Sequence, residues 1–497
     1  MGTWHTLGAH GRVDVALLLT DGAIMAFATK QNRYRLIRPG KGGDYVAAKT
    51  TTKNDLPAPV DGRSAAVMTD GRVFELGGEE THVYDPVEAK WTAVSGAASG
   101  WKTGLTVLAD GCVMLENELP PCTVSLRKPD GVWERSPGLP DYPNGGPRVL
   151  LRDGRLFALT KSHVHLFVPD EGKWKKLGDG PKLPSAAPAL LLPDERVLLV
   201  DTKTPRVHYF TPPKDGASSG SWSAGPKFPP KDARGWALKA ATGALCLLPS
   251  GKVLCGAEYW GTGGIGNQAL VMYEFDPETE SFVAQPNDEF VRKAQTGYFE
   301  MPRAVTLLLL PTGQVFVNLV VDPTLSKTIA KDFLYTPSDA PNLGWAPKFE
   351  CPAKIRAGRS FALEGRRLNG YSQGVSRMAP GGEDALLTGK PTTFATQGAT
   401  NYPLVELARG GTVRYLRTSD FSSMGVATGR TTVSARCHVP ADAPLGAAKL
   451  RVVTNGIPSA WRDVVVLAAL KKPDIIDVRL LGPAAPRAAL RRKAKRR

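Results

Sequence analysis

The chain has no long hydrophobic run. None of its 497 residues falls in a window of the ~18 or more consecutive apolar residues that a membrane helix needs, and its apolar runs stop at strand length. The opening MGTWHTLGAHGRVDV lacks a basic stretch followed by an apolar one, so it does not read as a Sec signal peptide. Cysteine is scarce, with six residues and no C-x-x-C pair, which gives no support to a paired-thiolate zinc site. No Gly-x-Ser-x-Gly elbow and no Walker loop is present, so the motifs of those hydrolases and nucleotidases are missing. Gly261, Gly263 and Gly266 do spell G-x-G-x-x-G, but the segment that follows, QALVMYEF, reads as a strand. A dinucleotide site needs a helix there.

What remains is an ordinary globular composition, 42% hydrophobic and 22% charged, rich in turn formers with 52 Gly and 41 Pro. The length exceeds one ordinary core. Formal net charge is +16, and residues 471–497 hold ten Lys or Arg against Asp474 and Asp477, a net of +8 that is half the total. This tail, which also contains IIDVRLL at 475–481, suits an acidic partner. A solvated, unpartnered tail is the competing reading. Gly2 and Thr6 fit the letters of an N-myristoylation signal, although Trp4 and Leu7 read as part of a strand.

One pattern recurs along the chain. It is an apolar strand, a tight turn and a second apolar strand, with turns at Asp21, Asp70, Asp110, Asp153, Asp194, Ser250 and Thr312. The spacings are 49, 40, 43, 41, 56 and 62 residues. Asp-Gly in most copies predicts a two-residue hairpin turn. Strands that are nearly all apolar predict hairpins buried on both faces. A more polar strand pair follows, as in HVYDPVEAKW (82–91), VHLFVPDEGKW (164–174) and MYEFDPETESF (272–282), with Trp133, Trp222 and Trp345 in the equivalent place elsewhere. Four-stranded units of this length are propeller blades. The expected fold is therefore all-β: a seven-bladed β-propeller over 1–346, a smaller β-sandwich over 347–468 and a basic tail over 469–497. The strand around Trp4 is placed to complete the last blade, in competition with Trp345.

The Asp-Gly turns share one rim. The other rim collects the varied loops, and loops on a rigid scaffold are where binding sites lie. Its candidates are Arg63, Trp101, Arg148, Trp236 and Arg303 at strand entries, with Glu258, Tyr259 and Trp260 in the loop 256–268. The ligand-binding set chosen from these is Arg63, Trp101, Trp236, Tyr259, Trp260 and Arg303. Aromatic and arginine groups around a concave mouth suit protein or carbohydrate recognition; the competing reading is that they cap an axial channel. His163 and His165 share a strand face but lack a visible third metal ligand, and an outer solvated strand is the alternative. Glu79 with Glu80, and Glu116 with Glu118, read as solvated loop carboxylates. No catalytic residue, metal ligand or cofactor is assigned. Cys246 and Cys255 flank one hairpin, and a two-residue turn places them directly opposite each other, as reduced thiols by default.

Gly77–Gly78, Tyr84-Asp85-Pro86 and Trp91 resemble a kelch repeat. FALEGRRLNGYSQG (361–374), ATNYPLVEL (399–407), RYLRTSDFSSMGVATG (414–429) and PLGAAKLRVVTNGIPS (444–459) resemble the immunoglobulin-like early-set domain of galactose-oxidase-like proteins. The resemblance covers about residues 1–468 and implies a kelch-like propeller followed by an immunoglobulin-like sandwich. It also implies a copper site of two tyrosines, two histidines and a cysteine, in a family that is often secreted. The matching positions here are Gly62, then Arg303 and Ala304, then Asp420, Phe421 and Ser422; Tyr298 lies nearby without an adjacent His. Copper needs imidazole nitrogens and the radical a phenol, so the expected outcome is the scaffold without the copper site.

Two functions stand. One is a non-catalytic scaffold or binding protein, presenting rim loops and docking within a larger assembly through its tail. The other is an enzyme, a diverged oxidase of carbohydrates or alcohols or a hydrolase using rim carboxylates. Without a signal peptide the chain is expected to be cytoplasmic or delivered as part of an assembly, with its compartment otherwise undefined.

Overall fold

The computed structural model describes residues 1–469 except 9–10, 12, 14, 28–32, 58–62, 78–79, 98–101, 118–121, 140–146, 161–162, 184–186, 202–203, 215–218, 234, 236, 260–267, 288–290, 293–303, 321–329, 373, 379–394 and 399–400. Seven antiparallel sheets, each built on four strands and six of them on strands consecutive in sequence, form a β-propeller. Blade 1 is Val15–Leu18, Ile24–Phe27, Tyr34–Arg38 and Lys49–Lys53. Blade 2 is Arg63–Val67, Val73–Gly77, Glu80–Asp85 and Lys90–Ala93, and blade 3 is Lys102–Val107, Val113–Asn117, Thr123–Arg127 and Trp133–Pro137. Blade 4 is Arg148–Leu150, Leu156–Leu159, His163–Val168 and Lys173–Asp179, and blade 5 is Ala189–Leu191, Val197–Asp201, Arg206–Thr211 and Ser221–Lys227. Blade 6 is Leu238–Leu247, Val253–Tyr259, Gln268–Asp276 and Ser281–Gln285, with Val291–Arg292 added to its third strand. Blade 7 is Ala304–Leu309, Val315–Val320 and Ala330–Thr336, and its fourth strand is Thr3–Gly8 from the other end of the chain.

The apolar hairpins are the inner strand pairs, and the first strands of neighbouring blades pack on one another around the axis. Their burial on both faces follows from that position: one face meets the preceding blade, the other the next. Trp4 completes blade 7, its ring packed at a tilt against Tyr335 with centroids 4.5 Å apart. Trp345 does not compete for closure. It lies in the short helix Leu343–Trp345 and packs on Tyr371, with ring centroids 4.9 Å apart. The outer aromatics bind blade to blade: Trp91 of blade 2 contacts Phe27 and Tyr34 of blade 1 at 6.2 and 5.8 Å.

The turns differ from the two-residue form. In all seven, the N–H of the fourth residue donates to the carbonyl of the first at 2.9–3.0 Å, and the first N–H donates to the carbonyl of the fifth at 2.7–2.9 Å, as in Gly22 to Leu19 and Leu19 to Ala23. The fourth residue alone is left-handed, with φ between 73° and 97°. This is a type I turn with a glycine bulge, which needs one positive φ where a two-residue turn needs one or two. Asp takes the preceding position because its carboxylate accepts the N–H two residues on, as Asp70 does from Arg72 at 2.9 Å. The extra residue shifts strand parity by one. Cys246 pairs with Leu254 and Cys255 with Leu245, so the two thiols occupy opposite faces of the sheet rather than facing each other.

After the propeller, two sheets pack face to face. One is Lys348–Glu350, Ser360–Arg366, Thr432–His438 and Thr418–Ser419; the other is Lys354–Arg356, Arg462–Leu467, Gly446–Thr454, Leu404–Arg409 and Thr412–Leu416. Leu363 and Cys437 of the first meet Val405, Leu450 and Val464 of the second in a shared core.

Candidate functional site

The sandwich sits on the turn rim. Tyr402 donates its hydroxyl to the Leu18 carbonyl, the Phe421 N–H donates to Thr69 O at 2.9 Å, and the Met424 N–H donates to Ala109 O at 2.9 Å. Fit here is close. A Cβ on Gly22 would lie 2.6 Å from the Tyr415 ring, and one on Gly251 would lie 2.8 Å from Trp345. Glycine at these turns therefore serves both the positive φ and the close approach of Tyr415 from the sandwich or Trp345 from the segment leading into it. The loop rim is the opposite face of the ring.

Between the two parts runs the hairpin Gly374–Met378 and Ala395–Gly398, which packs against the first strands of blades 1, 2, 3, 5, 6 and 7. It therefore lies on the propeller axis. No hydrophobic pattern marks this segment in the sequence, because its partners are strands of six different blades that only the ring brings together.

Of the candidate binding residues, Arg63 opens the first strand of blade 2 and Tyr259 closes the second strand of blade 6. Both backbones are on the loop rim. Trp101, Trp236, Trp260 and Arg303 lie outside the described residues. So do Gly62 and Tyr298, while Ala304 opens the first strand of blade 7. Phe421 is elsewhere: it contacts the turn rim and stacks on Tyr402 at 5.4 Å. The loop 420–422 is therefore not the sandwich element that reaches the axis; the paired strands Gly374–Met378 and Ala395–Gly398 are. Gly62 and Ala304 carry no donor atom on their side chains, so these positions do not fit a copper ion held as the resemblance implies.

Several polar groups read as loop residues are structural. Arg148 is not a free rim group: it grips Glu116 across blades 3 and 4, with Nε and Nη2 each 2.9 Å from a carboxylate oxygen, and lies 5.6 Å over Trp174. Glu116 is thus a buried strand residue, not a solvated loop one. Glu75 is fully buried, 3.1 Å from His82 Nδ1, and Glu80 Oε2 lies 3.7 Å from the other ring nitrogen. His165 is buried rather than on a wet outer strand, and the His163 and His165 rings are 6.4 Å apart. Among the described residues, no group of three His, Cys, Asp or Glu is arranged to hold a metal. Glu274 accepts from Tyr335 Oη at 2.7 Å and from the Ser338 N–H at 2.9 Å, joining blades 6 and 7. Burial pushes the Tyr335 hydroxyl far above the usual phenol range, and the Glu274 hydrogen bond adds to it.

These pairs were invisible in the sequence. A single polar residue inside an apolar strand has no periodic signature, and its partner lies on another strand of the blade, as for Glu75 and His82, or on another blade, as for Glu116 and Arg148. Each satisfies a group that would be costly to bury alone.

No protein-family model matches the chain, and no curated protein matches it. Among solved structures, a catalytically inactive virginiamycin B lyase from Staphylococcus aureus with Quinupristin is 12% identical, with a TM-score of 0.46, over 68% of this chain and 100% of that one. The extracellular domain of the putative hybrid two component system BT4673 from B. thetaiotaomicron is 11% identical, with a TM-score of 0.42, over 94% of this chain and 59% of that one.

Proposed function

We propose that this chain is a non-catalytic binding or scaffold protein that recognises protein or carbohydrate at its loop rim and docks through its basic tail. One observation supports the reading: the sandwich covers the turn rim, which leaves the loop rim as the propeller's free recognition face. Arg63, Trp101, Trp236, Tyr259, Trp260 and Arg303 are the residues assigned to it. The division at residues 346 and 468, the kelch-like character of the blades and the immunoglobulin-like character of the sandwich belong to the same proposal.

A glycan array and binding titrations with purified candidate partners test it. Trp101→Ala and Trp260→Ala should lose binding while the melting transition stays put. Stoichiometric copper in the purified protein, with peroxide release on sugars or alcohols, would overturn it in favour of an oxidase.

A further inference from the structure

Each blade ends in an edge strand whose outer N–H and C=O groups are open to pairing, and such edges are usually blunted by charge, proline or bulges. Six edges here are blunted. Blade 1 has Lys49 and Lys53, blade 2 has Lys90, and blade 3 has Glu134, Arg135 and Pro137. Blade 4 has Lys173, Lys175 and Lys176, blade 5 has Pro226 and Lys227, and blade 7 has a bulge between Thr6 and Gly8. Blade 6 is the exception. Ser281–Gln285 has no charge, proline or glycine, and it pairs with the third strand without a register break. No described strand pairs with its other side, and Val283 is 44% exposed.

The surroundings select the occupant. In a chain of net charge +16, residues 276–289 hold Asp276, Glu278, Glu280, Asp288 and Glu289 and no Lys or Arg. Glu278 and Glu280 are exposed. A second copy of this same edge would bring acidic flanks together. A basic strand would be attracted, with its backbone supplying affinity and its alternate side chains register. The chain carries such a segment. IIDVRLL alternates Ile476, Val478 and Leu480 with Asp477 and Arg479, and ten basic residues lie between 471 and 497. Those residues follow Ala469, which lies beside Gly358, and an extended chain gains roughly 3.3 Å per residue, so their reach is long.

We propose that the C-terminal segment of this protein adds as a further strand to the edge Ser281–Gln285 of blade 6, held in register by 475–481 and attracted by the acidic flanks. This deepens the tail-docking half of the function proposed above and rests on it.

The test compares three full-length proteins: wild type, Val283→Lys, and a tail variant with Arg479, Arg487, Arg491 and Arg492 changed to Gln. Amide hydrogen exchange is followed at 281–285 and 475–481, and retention on immobilised poly-glutamate reports the tail's general attraction to acid. Val283 is exposed, so Val283→Lys should leave the melting transition unchanged. Both segments should be protected in wild type, and Val283→Lys should speed their exchange at least about tenfold. The tail variant should do the same, increasingly so with added salt. Dependence on protein concentration distinguishes a tail from another copy, and independence one from the same copy; both fit the proposal. Exchange at 281–285 unchanged by either variant overturns the edge assignment. If poly-glutamate retention is then still lost in the tail variant, tail docking survives with another acidic partner; if retention is also unchanged, both fall.

Discussion

Arg35 of blade 1 donates to Asp332 of blade 7 at 2.8 Å, across the seam where the two ends of the chain close the ring. The pair is buried and belongs to a clasp. Asn318 donates to Asp332 at 2.6 Å and accepts from the Val13 N–H at 2.9 Å, while Thr306 donates to Val13 O at 2.8 Å. The segment entering blade 1 is thus tied to two strands of blade 7, and Arg35 ties the third strand of blade 1 to another.

Asp332→Ala should therefore destabilise the propeller by about 3–5 kcal/mol, because it leaves a buried guanidinium without its partner. Replacing both partners, Arg35→Met with Asp332→Leu, should cost less than Asp332→Ala alone. Urea unfolding of the three proteins is the measurement; equal losses would show that the pair is not what closes the seam.

The turns offer a second check. Glu195 holds the left-handed position, with φ 73°, that glycine holds in the other six turns. Glu195→Gly should stabilise by roughly 1 kcal/mol by relieving it. Its exposed pairing with Arg152 contributes little. Gly251→Ala should go the other way by roughly 2 kcal/mol, since it combines φ 97° with a 2.8 Å approach to Trp345. A neutral Gly251→Ala in thermal unfolding would contradict the turn assignment.

Cysteine chemistry is a third. Cys246 and Cys255 lie on opposite faces of a sheet, and burial alone pushes the Cys246 thiol up to about 12 and the Cys255 thiol higher still. Both should resist a thiol reagent at pH 8 in the folded protein, with the half-buried Cys122 and Cys351 reacting first. Under denaturing, non-reducing conditions all six thiols should titrate; a disulfide between Cys246 and Cys255 in particular would contradict the strand register.

His438 gives a fourth. Burial, with Arg417 close by, lowers its imidazole to about 4, and its Nε2 lies 2.8 Å from Ser419 Oγ. The unfolded chain binds a proton near pH 6.5 that the folded chain takes only near pH 4. Its contribution is therefore complete above about pH 6.5 and is lost as pH falls from there towards 4. His438→Gln should flatten that part of the stability profile. An NMR titration of the His438 ring with a midpoint near 6.5 would count against it.

The seven hairpins, the inner position of their apolar strands and the two-sheet domain that follows are legible in the sequence, whereas closure by the strand around Trp4 rather than by Trp345 was decided by the structure. Those rest on local patterns: runs of apolar residues, Asp-Gly at the turn, a Trp at fixed distance. Period and turn chemistry are written within ten residues. Three things were settled only in three dimensions. The turn carries one residue more than Asp-Gly suggested, because a bulge needs a single positive φ, and that one residue placed Cys246 and Cys255 on opposite faces. Glu116, Arg148, Arg35 and Asp332 became buried pairs because partners 32 or 297 residues apart meet only when the ring closes. The strand pair 374–378 and 395–398 lies on the axis, and Phe421 under the turns, because the sandwich docks on one rim. No local spacing records which face of a ring a later domain will cover, since that choice is made by shape and burial across the assembled surfaces.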